Sequence, residues 1–280
     1  MPATNPTAPL PLPRLLRWIQ RWELPRKLGL CDRLFGRALA RRGTCWVRTA
    51  AGPVWKLDLN NATHRWIVYG FYEGPGFWRW LRAQGGAINT IVDSGANIGQ
   101  TVLYFASLRP SGRIIAYEPG SAARNWLVQG VAANGLSRVT VEASGLGAVP
   151  SEAFLTALGP ADRHGACNCI DAIEGEPIRV TTLDAELDRH QIAVLDVWKL
   201  DMEGYEIHAV HGAARALAAG RIRAIYAEAG VSGRETAAYL TAFGYSVWGI
   251  RTNGSLGPWR DIGKWDNALF LAPGHPAAPR

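Results

Sequence analysis

The chain has 280 residues, 48% of them hydrophobic and 19% charged, which supplies enough apolar side chains for a sizeable core and excludes disorder throughout. Its formal charge of +7 is unevenly placed: residues 1–66 carry 12 basic and 3 acidic side chains, the remainder 18 and 20. A near-neutral body with a basic front end argues against a nucleic-acid binder, which would spread positive charge over its folded surface. No uncharged apolar run reaches the roughly 18 residues that a membrane span needs. The Pro-rich start, MPATNPTAPLPLP, lacks the charged-then-apolar order of a signal peptide. The expectation is a soluble, cytoplasmic protein with a disordered first dozen residues. Cys31, Cys45, Cys167 and Cys169 contain no C-x-x-C pair and read as reduced thiols rather than a disulfide framework or a zinc site.

Arg14 to Leu24 reads RLLRWIQRWEL, with Leu15, Trp18, Ile19 and Trp22 at helical spacing and Arg14, Arg17 and Arg21 off that stripe. This predicts a short basic amphipathic helix that either packs its Trp face on the main domain or touches a membrane surface or an acidic partner. A second helix is expected near Asp32 to Ala40, and Thr44 to Leu59 alternates as a hairpin does. Residues 1–85 are therefore assigned to a tail and a helical/hairpin cap, and 86–275 to the main domain. From Ile88 onward apolar strands alternate with helical segments, the grammar of a parallel sheet covered on both faces. Strands are predicted at 88–93, 113–118, 139–143, 194–200, 222–228, 245–250 and 267–271, with helices at 98–108, 122–134, 205–219 and 234–243. Residues 151–180 interrupt the alternation as an inserted hairpin or loop. The predicted fold is α/β, a Rossmann-like, seven-stranded, mostly parallel doubly wound sheet, and such sheets bind ligands beyond the carboxyl ends of their strands.

The first strand exit runs Asp93, Ser94, Gly95, Ala96, Asn97, Ile98, Gly99. Two glycines four apart let a backbone turn tightly and come close to a ligand. The pattern is not G-x-G-x-x-G, and Asp93 would repel a pyrophosphate while favouring a cationic or zwitterionic ligand. S-adenosylmethionine, with a sulfonium, an amino group and a carboxylate, has that chemistry. The second exit ends in Glu118-Pro119, an acid placed to accept from ribose hydroxyls. The third, with Ser144 and Gly145, is small enough for an adenine edge. The fourth, Lys199 to Glu206, holds Asp201, Glu203 and Glu206 in six residues. First-turn capping accounts for Glu203 or Glu206 better than for Asp201. The fifth ends in Glu228.

On VDSGANIGQT, AYEP, VTTLD, KLDMEGYE, the Tyr72-Glu73 pair and Glu228, the chain resembles the FkbM-type methyltransferases over roughly Tyr72 to Leu271. The resemblance implies a class I methyltransferase fold and methyl transfer from S-adenosylmethionine to a hydroxyl of a small molecule, sugar or glycolipid. The expected cofactor residues are Tyr72, Glu73, Asp93, Gly95, Ala96, Asn97, Gly99, Glu118, Pro119, Ser144, Gly145 and Asp201. Asp201, Glu203 and Glu228 are the candidate bases. Lys199, in a buried strand, should pair with Asp201 or Glu228. His208 and His211 are weaker candidates that a surface helix explains equally well. No metal is predicted, although Asp201, Glu203 and Glu228 together have the donor chemistry for a divalent ion. Two competing readings remain: a nicotinamide-dependent oxidoreductase, and a non-enzymatic module that binds through the basic N-terminus.

Overall fold

The computed structural model describes residues 9–279 except 23, 25, 72–73, 110, 158–167, 172, 229–231 and 260–266. Tyr72, Glu73 and Cys167, and residues 1–8 of the expected disordered tail, lie outside the described residues. The rest of that tail is ordered, contrary to expectation. The Leu10 amide donates to the Trp46 carbonyl at 2.7 Å, and Leu12 is buried.

The N-terminal elements are α1 (Arg14–Ile19), α2 (Lys27–Ala40), the antiparallel hairpin β1 (Thr44–Arg48) and β2 (Val54–Asp58), α3 (Ala62–Val68) and α4 (Pro75–Ala83). The buried face of α1 is not its Trp face. Leu16 and Ile19 are buried, while Leu15, Trp18 and Trp22 are 55%, 55% and 52% exposed. The inner stripe is Leu12, Leu16, Ile19, an i, i+4, i+7 set that begins ahead of the helix. Gln20 fixes this arrangement: its amide donates to the Val68 carbonyl at 2.6 Å, and its oxygen accepts from the Ala50 amide at 2.8 Å.

The main domain continues with β3 (Thr90–Ser94), α5 (Gln100–Leu108), β4 (Arg113–Tyr117), α6 (Ser121–Ala133), β5 (Val139–Glu142), β6 (Ser144–Leu146), β7 (Ser151–Ala157), β8 (Asn168–Asp171), β9 (Glu176–Thr181) and α7 (Leu183–Arg189). It ends with β10 (Leu195–Leu200), α8 (Glu206–His211), α9 (Ala214–Ala218), β11 (Ile222–Glu228), α10 (Gly233–Ala242), β12 (Ser246–Ile250), β13 (Leu256–Pro258) and β14 (Asn267–Leu271). The central sheet has the order β13-β12-β14-β11-β10-β3-β4-β5. Strands β5, β4, β3, β10 and β11 run parallel, and β14 is antiparallel to both its neighbours. The fold is the predicted mostly parallel α/β sheet with eight strands rather than seven. The extra strand, β13, is three residues paired with the edge of β12, too short to show a period. Strand order reverses between β3 and β10, which places the ligand crevice at their carboxyl ends.

Alternate strand residues serve two cores. Ile91, Ile114, Val197, Ala224 and Leu269 join one cluster with Leu16, Trp55, Tyr69 and Phe77 of the N-terminal elements. Val92, Ile115, Trp198, Ile225 and Phe270 join the other, under α7 to α10. The N-terminal elements therefore cover one face of the sheet and share its core. Residues 151–180 form most of a second sheet, of order β6-β9-β7-β8. The single helix expected at 205–219 is two, α8 and α9. Gly212 lies between them, and a Cβ there would stand 1.9 Å from the Gly147 carbonyl oxygen, so the position requires glycine. No helix among the described residues is long and apolar enough to cross a membrane.

Candidate active site

Parallel pairing puts Asp93 of β3 opposite Lys199 of β10, and Lys199 opposite Tyr226 of β11. Side chains in register share a sheet face, and Asp201, two residues beyond Lys199, returns to it. The Lys199 ammonium, almost wholly buried, donates to Asp201 Oδ2 at 2.8 Å and lies 3.8 Å from Asp93 Oδ1. Asp201 is thus the lysine's partner, and Asp93 is a second carboxylate on the same ammonium. Asp93 is 1% exposed, and neither of its oxygens has a hydrogen-bond partner. Burial pushes its carboxyl up to about 6, with Lys199 opposing the shift and Asp201 adding to it. Its side chain is enclosed by the protein rather than open at the strand exit.

The glycine loop is held by protein neighbours. Gly95, Asn97 and Gly99 have φ of 79°, 49° and 89°. The Gly95 and Ala96 amides both donate to the Tyr117 carbonyl at 3.0 Å. A Cβ on Gly95 would stand 1.8 Å from the Asp201 carbonyl oxygen, and one on Gly99 would stand 2.6 Å from Leu127 Cδ1. The first glycine is therefore required where the exits of β3 and β10 abut, and the second where the loop meets α6. Glu118 joins the loop to the exit of β4: its Oε2 accepts from the Asn97 amide at 2.7 Å and its Oε1 from the Gly120 amide at 2.8 Å. Burial raises its carboxyl, and those two amides oppose the shift. Each oxygen keeps a lone pair for a further donor. Ala96 is buried, Pro119 and Ser144 are half-buried, and Gly145 is buried with Ile170 Cδ1 3.2 Å from where its Cβ would be.

At the exit of β10 the three acids divide. Glu206, 1% exposed, accepts from the Met202 amide at 2.8 Å, the Gly204 amide at 3.2 Å and the Ser232 hydroxyl at 2.7 Å. It clamps the turn that carries Asp201 and Glu203, so the capping role falls to Glu206. Glu203 sits half-buried at φ 54°. The Asp201 side chain is 40% exposed. Glu228 closes the group from β11. Burial raises it to about 8, and Asp201, Glu203 and Glu206 add to the rise against Lys199. Two residues not anticipated from sequence complete the frame: Ser232, and Trp198, whose indole donates to Ser94 Oγ at 2.8 Å. Neither carries a local signal, because each partner is distant in sequence.

His208 and His211 are exposed on α8, against Tyr205 and Tyr239 at ring distances of 4.4 Å. Among the described residues the one set of ligand atoms gathered as a metal site would need is Glu142, Glu186 and His190. Arg189 is paired with both of its carboxylates, and it is not the Asp201, Glu203, Glu228 group.

The Glu228 shift has a measurable consequence. A folded-state carboxyl raised above its ordinary value stays protonated while the unfolded chain ionises, so stability falls as pH rises from about 4.5 to about 8. Glu228→Gln is expected to melt a few degrees above the wild type at pH 8.5 and level with it at pH 4.5. Parallel melting curves across that range would remove Glu228 from the charged group.

The methyltransferase FkbM domain model matches residues 93–247, more than half of the chain. No curated protein matches. Among solved structures, the METTL16 MTase domain is 11% identical, with a TM-score of 0.46 over 88% of this chain and 79% of that one. Precorrin-6y C5,15-methyltransferase from Geobacter metallireducens GS-15 is 11% identical, with a TM-score of 0.38 over 70% and 85%. M. jannaschii TYW2 in complex with AdoMet is 13% identical, with a TM-score of 0.38 over 81% and 84%.

Proposed function

The chain belongs to the FkbM methyltransferase family, and on that premise we propose that it moves a methyl group from S-adenosylmethionine to a hydroxyl of a small molecule, sugar or glycolipid. The observation that carries this reading is the charge at the reversal of strand order. Among the described residues Asp93 and Asp201 share one ammonium, that of Lys199; Asp93 is buried with no hydrogen bond to either oxygen, and Asp201, Glu203 and Glu206 help to raise the Glu228 carboxyl to about 8. Such a site is short of positive charge. The residues fit the methyl donor: the acids favour its sulfonium and amino group, and Glu118 retains acceptor capacity for ribose hydroxyls. When bound, S-adenosylmethionine supplies an electrophilic methyl group on a positively charged sulfur.

The chain's own part is to align, to exclude water and to take a proton. Asp201 is the proposed base because it combines an exposed side chain with a fixed orientation, its Oδ2 tied to Lys199. Lys199 orients Asp201 and partly compensates Asp93. Glu203 and Glu228 flank the acceptor side, and Glu228, once ionised, adds to the attraction for the cationic donor. A nicotinamide cofactor would set its pyrophosphate against the carboxylates of Asp93 and Glu118, which disfavours the oxidoreductase alternative.

Asp201→Asn is expected to lower turnover by about 10² to 10⁴ while leaving cofactor affinity within about threefold of wild type. The measurement is transfer of a tritiated methyl group from S-adenosylmethionine across a panel of hydroxylated acceptors, with product analysis separating methyl ethers from methylamines. Wild-type turnover in Asp201→Asn would take the base role from this residue, and methylamine products would overturn the hydroxyl assignment.

A further inference from the structure

Six of the ten large apolar side chains exposed among the described residues fall between positions 15 and 34: Leu15, Trp18, Trp22, Leu24, Leu30 and Leu34. They are not scattered. Leu16 and Ile19 take the inner side of α1, which leaves Leu15 and Trp18 outward, and the Trp18 and Trp22 rings lie 5.7 Å apart. Leu30 and Leu34 stand one turn apart on α2. Through the same stretch Arg14, Arg17, Arg21, Arg26, Arg33 and Arg37 are exposed, and none has an ion-pair partner among the described residues. The described acid there, Asp32, is already engaged, by Arg65 at 2.7 Å and by the Tyr69 hydroxyl at 2.9 Å.

We propose that this surface docks the enzyme on an anionic lipid bilayer, with Trp18 and Trp22 at the headgroup level and the arginines on lipid phosphates. The inference is independent of the reaction assigned above. Tryptophan joins an apolar ring to one N–H donor and so favours the boundary between hydrocarbon and water. Arginine's planar fork matches phosphate oxygens. The four exposed leucines choose between lipid and nucleic acid, because bases stack on aromatic rings and gain nothing from aliphatic side chains, whereas leucine enters the acyl boundary. The rings of Trp18 and Trp22 are exposed side by side, and a fluid bilayer accommodates them without a complementary groove.

The test is co-sedimentation of the full chain with vesicles of phosphatidylcholine alone and of phosphatidylcholine with about one-third phosphatidylglycerol, at low and high salt. Binding is expected to the anionic vesicles only and to weaken as salt rises. W18A/W22A should bind at least about tenfold more weakly. R14Q/R17Q/R21Q should lose on the order of a hundredfold, about fivefold for each arginine. All five side chains are exposed, so both variants should melt with the wild type. The proposal is overturned if anionic vesicles do not bind, if both variants bind them as the wild type does, or if vesicle binding is lost only where melting also falls. It is equally overturned if single-stranded RNA displaces the protein from vesicles, or if lipid-free protein is a dimer that W18A/W22A dissociates.

Discussion

Gly95→Ala is expected to cost about 2 to 5 kcal/mol of stability and to abolish measurable cofactor binding. The residue sits at φ 79°, where a Cβ alone costs roughly 1–2 kcal/mol. That Cβ would also lie 1.8 Å from the Asp201 carbonyl oxygen, so the exits of β3 and β10 must part, at a packing cost of about 1–3 kcal/mol. Parting them moves Asp201 away from Lys199 and opens the crevice at its base. A fall in melting temperature on the order of 10 °C should follow. Gly85→Ala is the control: it has φ 58° and nothing within 4 Å of its Cβ position, and it should show the backbone cost alone. Equal melting temperatures for the two variants would mean that the strand exits do not abut as described.

Lys199→Met is expected to destabilise the fold by about 3–5 kcal/mol at pH 8, because it strips the ammonium from two carboxylates, one of them fully buried. The sign of the pH dependence follows from Asp93. Its folded-state value, about 6, already lies above the ordinary 3.8, so it stays protonated in the fold at pH 5 while the unfolded chain is ionised. Stability therefore falls as pH rises through that window. Removing Lys199, which lowers Asp93, raises the carboxyl further and extends the fall to higher pH. The difference in melting temperature between variant and wild type should be small at pH 5 and large at pH 8. Asp93→Asn in the Lys199→Met background should recover much of the loss. A loss independent of pH and unaffected by Asp93→Asn would reduce Lys199 to a packing residue.

These two expectations rest on contacts that sequence shows unequally. The acids at the exits of β3, β4, β10 and β11 are legible because alternation marks where each strand ends, and the seven longer strands carry that alternation. The pairing of Lys199 with Asp93 is not, since it depends on β10 lying beside β3 across 106 positions of chain. The same distance effect hides the close approach of the Gly147 carbonyl to Gly212 and the Glu206 to Ser232 bond. In α1 the error came from starting the helical stripe at Leu15. The inner face begins at Leu12, inside a Pro-rich segment whose composition suggested disorder. Strand β13 has too few residues for any period. Tyr72 and Glu73, prominent in the resemblance, lie outside the described residues.

The carboxylates at the strand exits are proposed to form a receptor for a cationic methyl donor. Calorimetric titration of S-adenosylmethionine into the full chain, with NAD as the comparison and Glu118→Ala as the variant, tests it most directly. The expected result is one molecule of S-adenosylmethionine bound per chain, no binding of NAD, and an affinity at least about tenfold weaker in Glu118→Ala, since a charge-assisted hydrogen bond contributes about 1.5–3 kcal/mol. No binding of S-adenosylmethionine, or binding of NAD in its place, would contradict it.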